Sequence, residues 1–431
     1  MNLTAKEKEH IFQEFLREIC HISDKEYQRR IWIRGEGPEC DDFTEIVCRY
    51  SSAADWILEE PRDYGILGSQ FTVLKKFHNA FEEFWQDNDL PQLFIDTPEW
   101  TKITLMAKDV LQAFGYQRNR VQKYSIHYQN LVGTLYTCSD GKKPGIMLLS
   151  GSDGGVPGKN AIPESFVEYL VKSGFTVLAL AYFGMDRLPN ALENIPLEYF
   201  ISAIEWFKRQ AYVDPFRIGI IGQSRGGELA LLLASSFPEL IQAVVACAPC
   251  NMICGGFPHP NRPAWTCHHK PLTPYLSGLS NADDDLAEAD DIKMAIESNK
   301  IPRHANTAED PYVIADLFAA RKETPRAQEA QIAVEKISCP LLLISGDKDE
   351  IWPSYFFCEL IMKRLSDCNW KFYKEHIHYK NAGHGVLTNY DGPIYHPMGG
   401  FWCRLGGTVD GNKNAHELSW LAITNFLHSQ L

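Results

Sequence analysis

Arg217-Ile218-Gly219-Ile220-Ile221-Gly222-Gln223-Ser224-Arg225-Gly226-Gly227-Glu228-Leu229-Ala230-Leu231-Leu232-Leu233-Ala234 is the stretch on which the reading of this chain turns. Strand-forming residues 217–221 run into Gly222-Gln223-Ser224-Arg225-Gly226, and helix formers follow from Glu228. G-x-S-x-G recurs by chance in a chain of 431 residues; between a strand and a helix it gains a mechanical meaning. A serine on a sharp strand-to-helix turn projects its hydroxyl above the sheet, and small residues two before and two after let the turn approach its neighbours. The helix opening there aims unpaired backbone N–H groups at developing negative charge. Ser224 is therefore the candidate nucleophile; the alternative is a glycine-rich packing turn.

A serine nucleophile needs a base and a group that orients the base, and in the α/β-hydrolase fold these follow in the order Ser, Asp, His. Pro340-Leu341-Leu342-Leu343-Ile344-Ser345-Gly346 reads as a buried parallel strand entering Asp347-Lys348-Asp349-Glu350 at its carboxyl end, where ligands collect in open α/β sheets. Asp349 is the candidate acid, with Asp347 as the alternative. Trp370-Lys371-Phe372-Tyr373 reads as the next strand, and Asn381-Ala382-Gly383-His384-Gly385 as a turn presenting His384, the candidate base. His376 and His378 compete with it, but alternate within a strand-like stretch that suits packing or surface roles. Upstream, the strand Gly145–Ser150 and the loop Gly151-Ser152-Asp153-Gly154-Gly155 stand in the right order for an oxyanion hole. Its donors would be the backbone N–H of Arg225 and one near Ser152 or Asp153. The loop lacks the Gly-Lys-Ser/Thr of a P-loop and the G-x-G-x-x-G of a dinucleotide site.

Apolar strand runs alternate with helical segments at Pro163–Ser173, Leu197–Gln210 and Tyr355–Arg364, the pattern of a mainly parallel sheet. The last helix carries Asn414 and Glu417 at capping-box spacing, then Trp420, Ile423 and Leu427 on one face. The expected architecture is α/β: an α/β-hydrolase domain over 118–431, with 250–337 as lid or pocket-wall candidate, preceded by an acidic, mostly helical accessory domain over 1–117. In that first part Ile11, Phe12, Phe15, Leu16 and Ile19 form one helical stripe and Phe71, Leu74, Phe77, Phe81 and Phe84 another. Asp96-Thr97-Pro98-Glu99-Trp100 reads as a cap followed by a helix through Leu111.

Residues 1–117 hold 13 Lys and Arg against 22 Asp and Glu, so they supply −9 of the whole chain's −13. Such a segment repels polyanions, which argues against nucleic acid and an anionic membrane as partners and for a protein partner of the acidic domain. No uninterrupted apolar stretch reaches the ~20 residues of a membrane span, and Met1–Cys20 has no apolar h-region. Twelve cysteines lie scattered without a framework, several in apolar strands and helices, which suits a reducing, cytoplasmic setting. Cys250, Cys254, His259, Cys267, His268 and His269 fall close together, but only Cys250 and Cys254 have pair spacing. A loop after the strand Ala243–Ala248 is therefore expected in preference to a metal centre. No metal and no cofactor are expected.

From about Gln122 to Leu431 the chain resembles the catalytic domain of the acyl-CoA thioesterase / bile acid-CoA:amino acid N-acyltransferase family. The resemblance is carried by Pro144-Gly145-Ile146 with its glycine-rich loop, Gly174-Phe175-Thr176-Val177-Leu178-Ala179-Leu180-Ala181-Tyr182 and Leu197-Glu198-Tyr199-Phe200. Ser224-Arg225-Gly226-Gly227-Glu228-Leu229, Ala382-Gly383-His384, Pro393-Ile394-Tyr395-His396-Pro397, Gly406-Gly407 and Ala415-His416 carry the rest. The chain departs from the family pattern in having Arg225 where lysine is usual, and a helical segment where family members place an immunoglobulin-like sandwich. The resemblance implies a small-molecule acyl thioester such as acyl-CoA as substrate, cleaved through an acyl-Ser224 intermediate. Serine rather than cysteine at 224 is similar to the hydrolases of the family and not to its N-acyltransferases. Alternatives are a carboxylesterase or dienelactone-hydrolase-like ester hydrolase, an acyl transfer to an amine and, outside enzymes, a protein-binding module acting through the helical domain.

Overall fold

A computed structural model of the chain describes residues 5–35, 42–116, 121–138, 141–154, 162–275, 293, 294, 296–298, 302–315, 318, 325–388, 394–398 and 401–431. The chain divides into two compact units, Met1–Gln122 with Cys138–Lys142, and Lys123–Thr137 with Lys143–Leu431.

The first unit is helical: α1 Ala5–Ser23, α2 Phe43–Glu59, α3 Gly68–Trp85 and α4 Pro98–Ala113. Helix α4 packs on both α1 and α3, and α1 also packs on α2. The two stripes read from the sequence face inward, with Phe15, Ile19, Leu74, Phe77 and Phe81 buried. Thr97 caps α4 by accepting the Trp100 N–H at 3.2 Å, and Pro98 follows at the first helical position, where it has no donor to lose. That cap drops Trp100 into the core, its ring centroid 4.8 Å from Phe94 and 5.2 Å from Phe84. Truncating so large a buried ring costs about 3–5 kcal/mol. Its indole N–H donates to Gln28 Oε1 at 2.8 Å, while the Gln28 amide donates to the His21 and Ile22 carbonyls at 2.9 and 2.8 Å. The buried amide is thereby satisfied, and two carbonyls in the last turn of α1 gain a side-chain donor.

The second unit is built on eight strands: β1 Gln122–Tyr128, β2 Leu131–Thr137, β3 Lys143–Leu149, β4 Thr176–Ala181, β5 Val213–Gln223, β6 Ala243–Cys247, β7 Leu341–Gly346 and β8 Lys374–Tyr379. Their order is β1-β2-β4-β3-β5-β6-β7-β8. β2 runs antiparallel to β4, and every pair from β4 to β8 is parallel. This is an α/β-hydrolase sheet. The longer helices among the described residues are α5 Glu164–Lys172, α6 Leu197–Lys208, α7 Arg225–Ser236, α8 Ser354–Asp367 and α9 Val409–Gln430. Strands β4, β6 and β7 are buried along their whole length, which is why their sequences are unbroken apolar runs rather than alternating ones.

The aromatic run Trp370–Tyr373 is not a strand: pairing with β7 begins at Lys374, and the Trp370 indole N–H instead donates to the Ile337 carbonyl at 2.7 Å. Aromatic content suggested β structure there, but burial against a loop carbonyl fixed the side chain. Asn414 and Glu417 do not start the last helix, because Thr408 caps it, accepting the Gly411 N–H at 3.0 Å. Within the lid or pocket-wall candidate 250–337, residues 276–292 with the acidic runs Ala282–Asp285 and Asp290-Asp291 lie outside the described residues, as do Gly155 and Pro393.

Candidate active site

The motif's glycines are dictated by backbone contact. A Cβ on Gly222 would lie 1.9 Å from the Gly226 carbonyl oxygen, and one on Gly226 would lie 2.1 Å from the Leu149 carbonyl oxygen. No side chain fits at either place. Between them Ser224 holds φ +58° and ψ −122°, a conformation that costs a non-glycine residue about 1–3 kcal/mol. Its N–H donates to the Cys247 carbonyl at 2.9 Å, so the strained turn is locked to β6.

Strain at the turn points the hydroxyl at a histidine. Ser224 Oγ lies 2.8 Å from His384 Nε2, and His384 Nδ1 lies 2.9 Å from Asp349 Oδ2. Asp349 Oδ1 accepts the backbone N–H groups of Ile351 and Trp352 at 3.0 and 3.2 Å, and Oδ2 also accepts the Ser354 hydroxyl at 2.6 Å. Four donors converge on a carboxylate whose side chain is 1% exposed, as a buried anion requires. Because that carboxylate can only accept, Nδ1 must carry the proton and Nε2 is left to accept from Ser224. Trp352, whose indole donates to the Ala248 carbonyl at 2.9 Å, stands edge-on to His384 with centroids 5.4 Å apart.

The histidine loop is held as tightly as the elbow. A Cβ on Gly383 would lie 2.3 Å from the Gly406 carbonyl oxygen. Gln223 donates to the His384 carbonyl at 2.8 Å, and His384 N–H donates to the Leu405 carbonyl at 2.7 Å. Asn412 accepts the Gly383 N–H at 2.7 Å and donates to the Gly406 carbonyl at 3.1 Å. Gln223, Asn412, Trp352 and Ser354 were not singled out from the sequence; the bonds of Gln223, Asn412 and Trp352 reach across as many as 161 positions, which no local spacing reveals, and Ser354 reaches Asp349 from five residues on, with no motif to mark it.

The loop after β3 lies over the serine. A Cβ on Gly151 would stand 3.6 Å from Ser224 Oγ, and Ser152 and Asp153 follow directly. Buried Tyr182 pins this loop: its hydroxyl lies 2.6 Å from the Ser150 carbonyl oxygen and 3.0 Å from that of Gly151, and its N–H donates to the Gly154 carbonyl at 3.0 Å. Arg225 contributes the first amide of α7, while its side chain turns into the protein. The guanidinium pairs with Glu228 at 3.0 Å and donates to the Cys254 and Gly255 carbonyls at 3.2 and 2.7 Å. A planar fork serves a carboxylate and two carbonyls at once, Nη1 facing Glu228 and Nη2 the two carbonyls. Burial lifts the Glu228 carboxyl above its ordinary range, against the pull of Arg225 and of the Trp265 indole and Cys254 N–H donors.

The competing residues lie elsewhere. Asp347 accepts the Asn381 N–H at 2.7 Å, a loop-shaping bond. His378 is exposed against Tyr355. His376 belongs to a second relay: Ser345 Oγ to Nε2 at 2.8 Å, and Nδ1 to Glu359 Oε1 at 2.7 Å. Ser345 is fully buried within β7. The cysteine and histidine cluster is dispersed. Cys250 and Cys254 are buried under the elbow, His259 pairs with Glu193, and Cys267 and His268 lie beside Glu198.

Residues 195–431, more than half of the chain, match the family described as BAAT / Acyl-CoA thioester hydrolase C terminal. Among relatives, acyl-coenzyme A thioesterase 1 of Rattus norvegicus is 28% identical over 303 residues, covering 68% of this chain and 61% of the relative. The mitochondrial acyl-coenzyme A thioesterase 2 of Homo sapiens is 27% identical over 325 residues, covering 72% and 57%. The chain thus spans less than two thirds of these relatives' length. Among solved structures, acylaminoacyl peptidase from Pyrococcus horikoshii aligns with TM-score 0.43 at 16% identity, over 72% of this chain and 41% of that one. Est1E from Butyrivibrio proteoclasticus aligns with TM-score 0.39 at 15% identity, over 72% and 98%. The family match begins just before the helix preceding the elbow and takes in Ser224, Asp349 and His384, and by it the chain belongs to the BAAT / acyl-CoA thioester hydrolase C-terminal family.

Proposed function

We propose that the chain hydrolyses an acyl thioester such as an acyl-CoA through an acyl-Ser224 intermediate. The observation that carries this reading is the strained, partly accessible Ser224 joined through His384 to a fully bonded Asp349. In the proposed reaction His384 takes the hydroxyl proton as Oγ attacks the thioester carbonyl, then returns it to the departing thiolate. Asp349 holds the tautomer and stabilises the imidazolium. The backbone N–H groups of Arg225 and of Ser152 or Asp153 receive the oxyanion, a contribution typically of roughly 10²–10³ in rate. Water activated by His384 then releases the acid. The thiol leaving group follows from the family relatives, which are thioesterases by name.

The helical unit is proposed as an accessory domain that supplies no reacting group, since Ser224, Asp349 and His384 all belong to the other unit. Steady-state kinetics on a panel of acyl-CoA thioesters and matched oxygen esters, with and without an added amine acceptor, test the reading. Thioester turnover to free acid, abolished in Ser224→Ala, is expected. Oxygen-ester turnover alone, or amide product in place of acid, would contradict it.

A further inference from the structure

The segment following β6 carries a hairpin that the proposed chemistry does not use. Trp265–Cys267 pairs antiparallel with Lys270-Pro271, Cys267 opposite Lys270, so the loop is the two residues His268-His269. Two-residue hairpin loops of the type I′ form need φ > 0 at both positions and favour Asn-Gly. Here two histidines hold φ +49° and +61°. The turn sets both values, and histidine is among the non-glycine residues that adopt them most readily.

On its other edge the same strand pairs in parallel with Ile195-Pro196, Pro196 opposite Thr266. Glu198, in the first turn of α6, is thereby brought beside the loop. Its Oε1 accepts the His268 N–H at 2.7 Å and lies 3.5 Å from His268 Nδ1. One donor atom from each of Glu198, Cys267 and His268 lies within 4.8 Å of the other two.

We propose that Glu198, Cys267 and His268 bind a borderline-soft divalent transition metal ion of the Zn²⁺ class. The donor set selects the ion: a thiolate and an imidazole suit zinc and disfavour Mg²⁺ and Ca²⁺, which take oxygen ligands. The carboxylate and thiolate together neutralise a dication. Three protein ligands leave a fourth tetrahedral position for water or an external ligand. Bonds of about 2.0–2.3 Å would bring the donors closer together than they stand here, a movement within reach of an exposed histidine and a glutamate on a helix's first turn. Binding takes up the ion and releases the Cys267 thiol proton to solvent. Two residues before Cys267, the Trp265 indole donates to Glu228 at 3.0 Å, so the ion would sit on a strand that also supports the elbow.

Titration of the chelator-treated full chain with Co²⁺, followed by absorbance, tests the proposal. A stoichiometric thiolate-to-cobalt charge-transfer band with the intense visible bands of four-coordinate cobalt is expected, and Zn²⁺ should displace it. Cys267→Ser should lose the charge-transfer band. Glu198→Gln and His268→Asn, the latter keeping a residue suited to φ > 0, should weaken Co²⁺ binding by about tenfold or more. Zn²⁺ should shield Cys267 from iodoacetamide in the wild-type chain, which reads the site without any substitution. Absence of the band in wild type, persistence of the same band in Cys267→Ser, or alkylation of Cys267 unchanged by Zn²⁺ would each overturn it.

Discussion

Two serine–histidine–carboxylate relays stand on the same sheet, with bond lengths that do not tell them apart: 2.8 and 2.9 Å through Ser224, His384 and Asp349, and 2.8 and 2.7 Å through Ser345, His376 and Glu359. What separates them is the setting of each end. Ser224 lies past the end of its strand, strained and partly accessible at the start of a helix, with a loop over its hydroxyl. Ser345 is inside β7 and fully buried, so no carbonyl carbon can reach it. At the far end, Asp349 is 1% exposed with four donors, whereas the Glu359 side chain is 54% exposed to screening water. A hydrogen-bonded relay is therefore insufficient for nucleophilic chemistry; the elbow, the access and the buried acid make the first relay the candidate site and the second a strand-to-helix pin.

The largest effect that could break this contrast is at the first relay. Ser224→Ala and His384→Ala should each lower kcat on an acyl thioester by about 10⁴-fold or more, and the double variant should be little worse, because members of one unit do not lose activity additively. Turnover within about tenfold of wild type would remove Ser224 from the reaction. Asp349→Asn should cost about 10⁴-fold by presenting a donor where His384 Nδ1–H needs an acceptor, and Asp347→Asn and Glu359→Gln should cost little. A larger loss at Asp347 would reassign the acid.

Smaller effects should appear at the second relay, in stability rather than turnover. Ser345→Ala should leave kcat within about twofold and reduce unfolding free energy by about 1–3 kcal/mol, since a mostly buried imidazole loses its partner. Burial holds the His376 imidazole below its ordinary value of 6.5, against the pull of Glu359. The unfolded chain then binds the proton more readily than the folded one, so stability is full above about pH 6.5 and falls as pH drops through the lowered folded value. Urea midpoints of wild type and His376→Asn across that window should converge on acidification; a constant difference would refute the assignment.

The first relay was legible where chemistry constrains sequence locally. Gly222, Ser224 and Gly226 form one contiguous motif between a strand and a helix, Gly222 fixed by its contact with Gly226, and Asp349 and His384 follow strands β7 and β8 in the order the fold requires. The stripes of α1 and α3 were legible for the same reason, a 3.6-residue period set by one buried face. Trp370–Tyr373 misled because its backbone starts by closing the end of α8, the Trp370 N–H donating to the Leu365 carbonyl at 3.0 Å, and reaches β7 only at the Tyr373 carbonyl, so the strand begins at Lys374. Helix α2 carried a readable period in Ile46, Val47, Tyr50, Ala54 and Ile57, all buried, yet it was not singled out. The bonds from Gln223 and Asn412 depend on pairings far apart in the chain, which no spacing rule contains; the Ile351, Trp352 and Ser354 donors to Asp349 lie within five residues of it, but belong to no motif that marks a carboxylate-binding turn.

Labelling the full chain with a fluorophosphonate and mapping the adduct by peptide mass spectrometry tests the central claim most directly, because it asks which serine is nucleophilic without presuming a substrate. The account predicts a stoichiometric adduct on Ser224, lost in Ser224→Ala, strongly slowed in His384→Ala and unchanged in Ser345→Ala. An adduct on Ser345 or any other serine, or none on a folded wild-type chain, would contradict it.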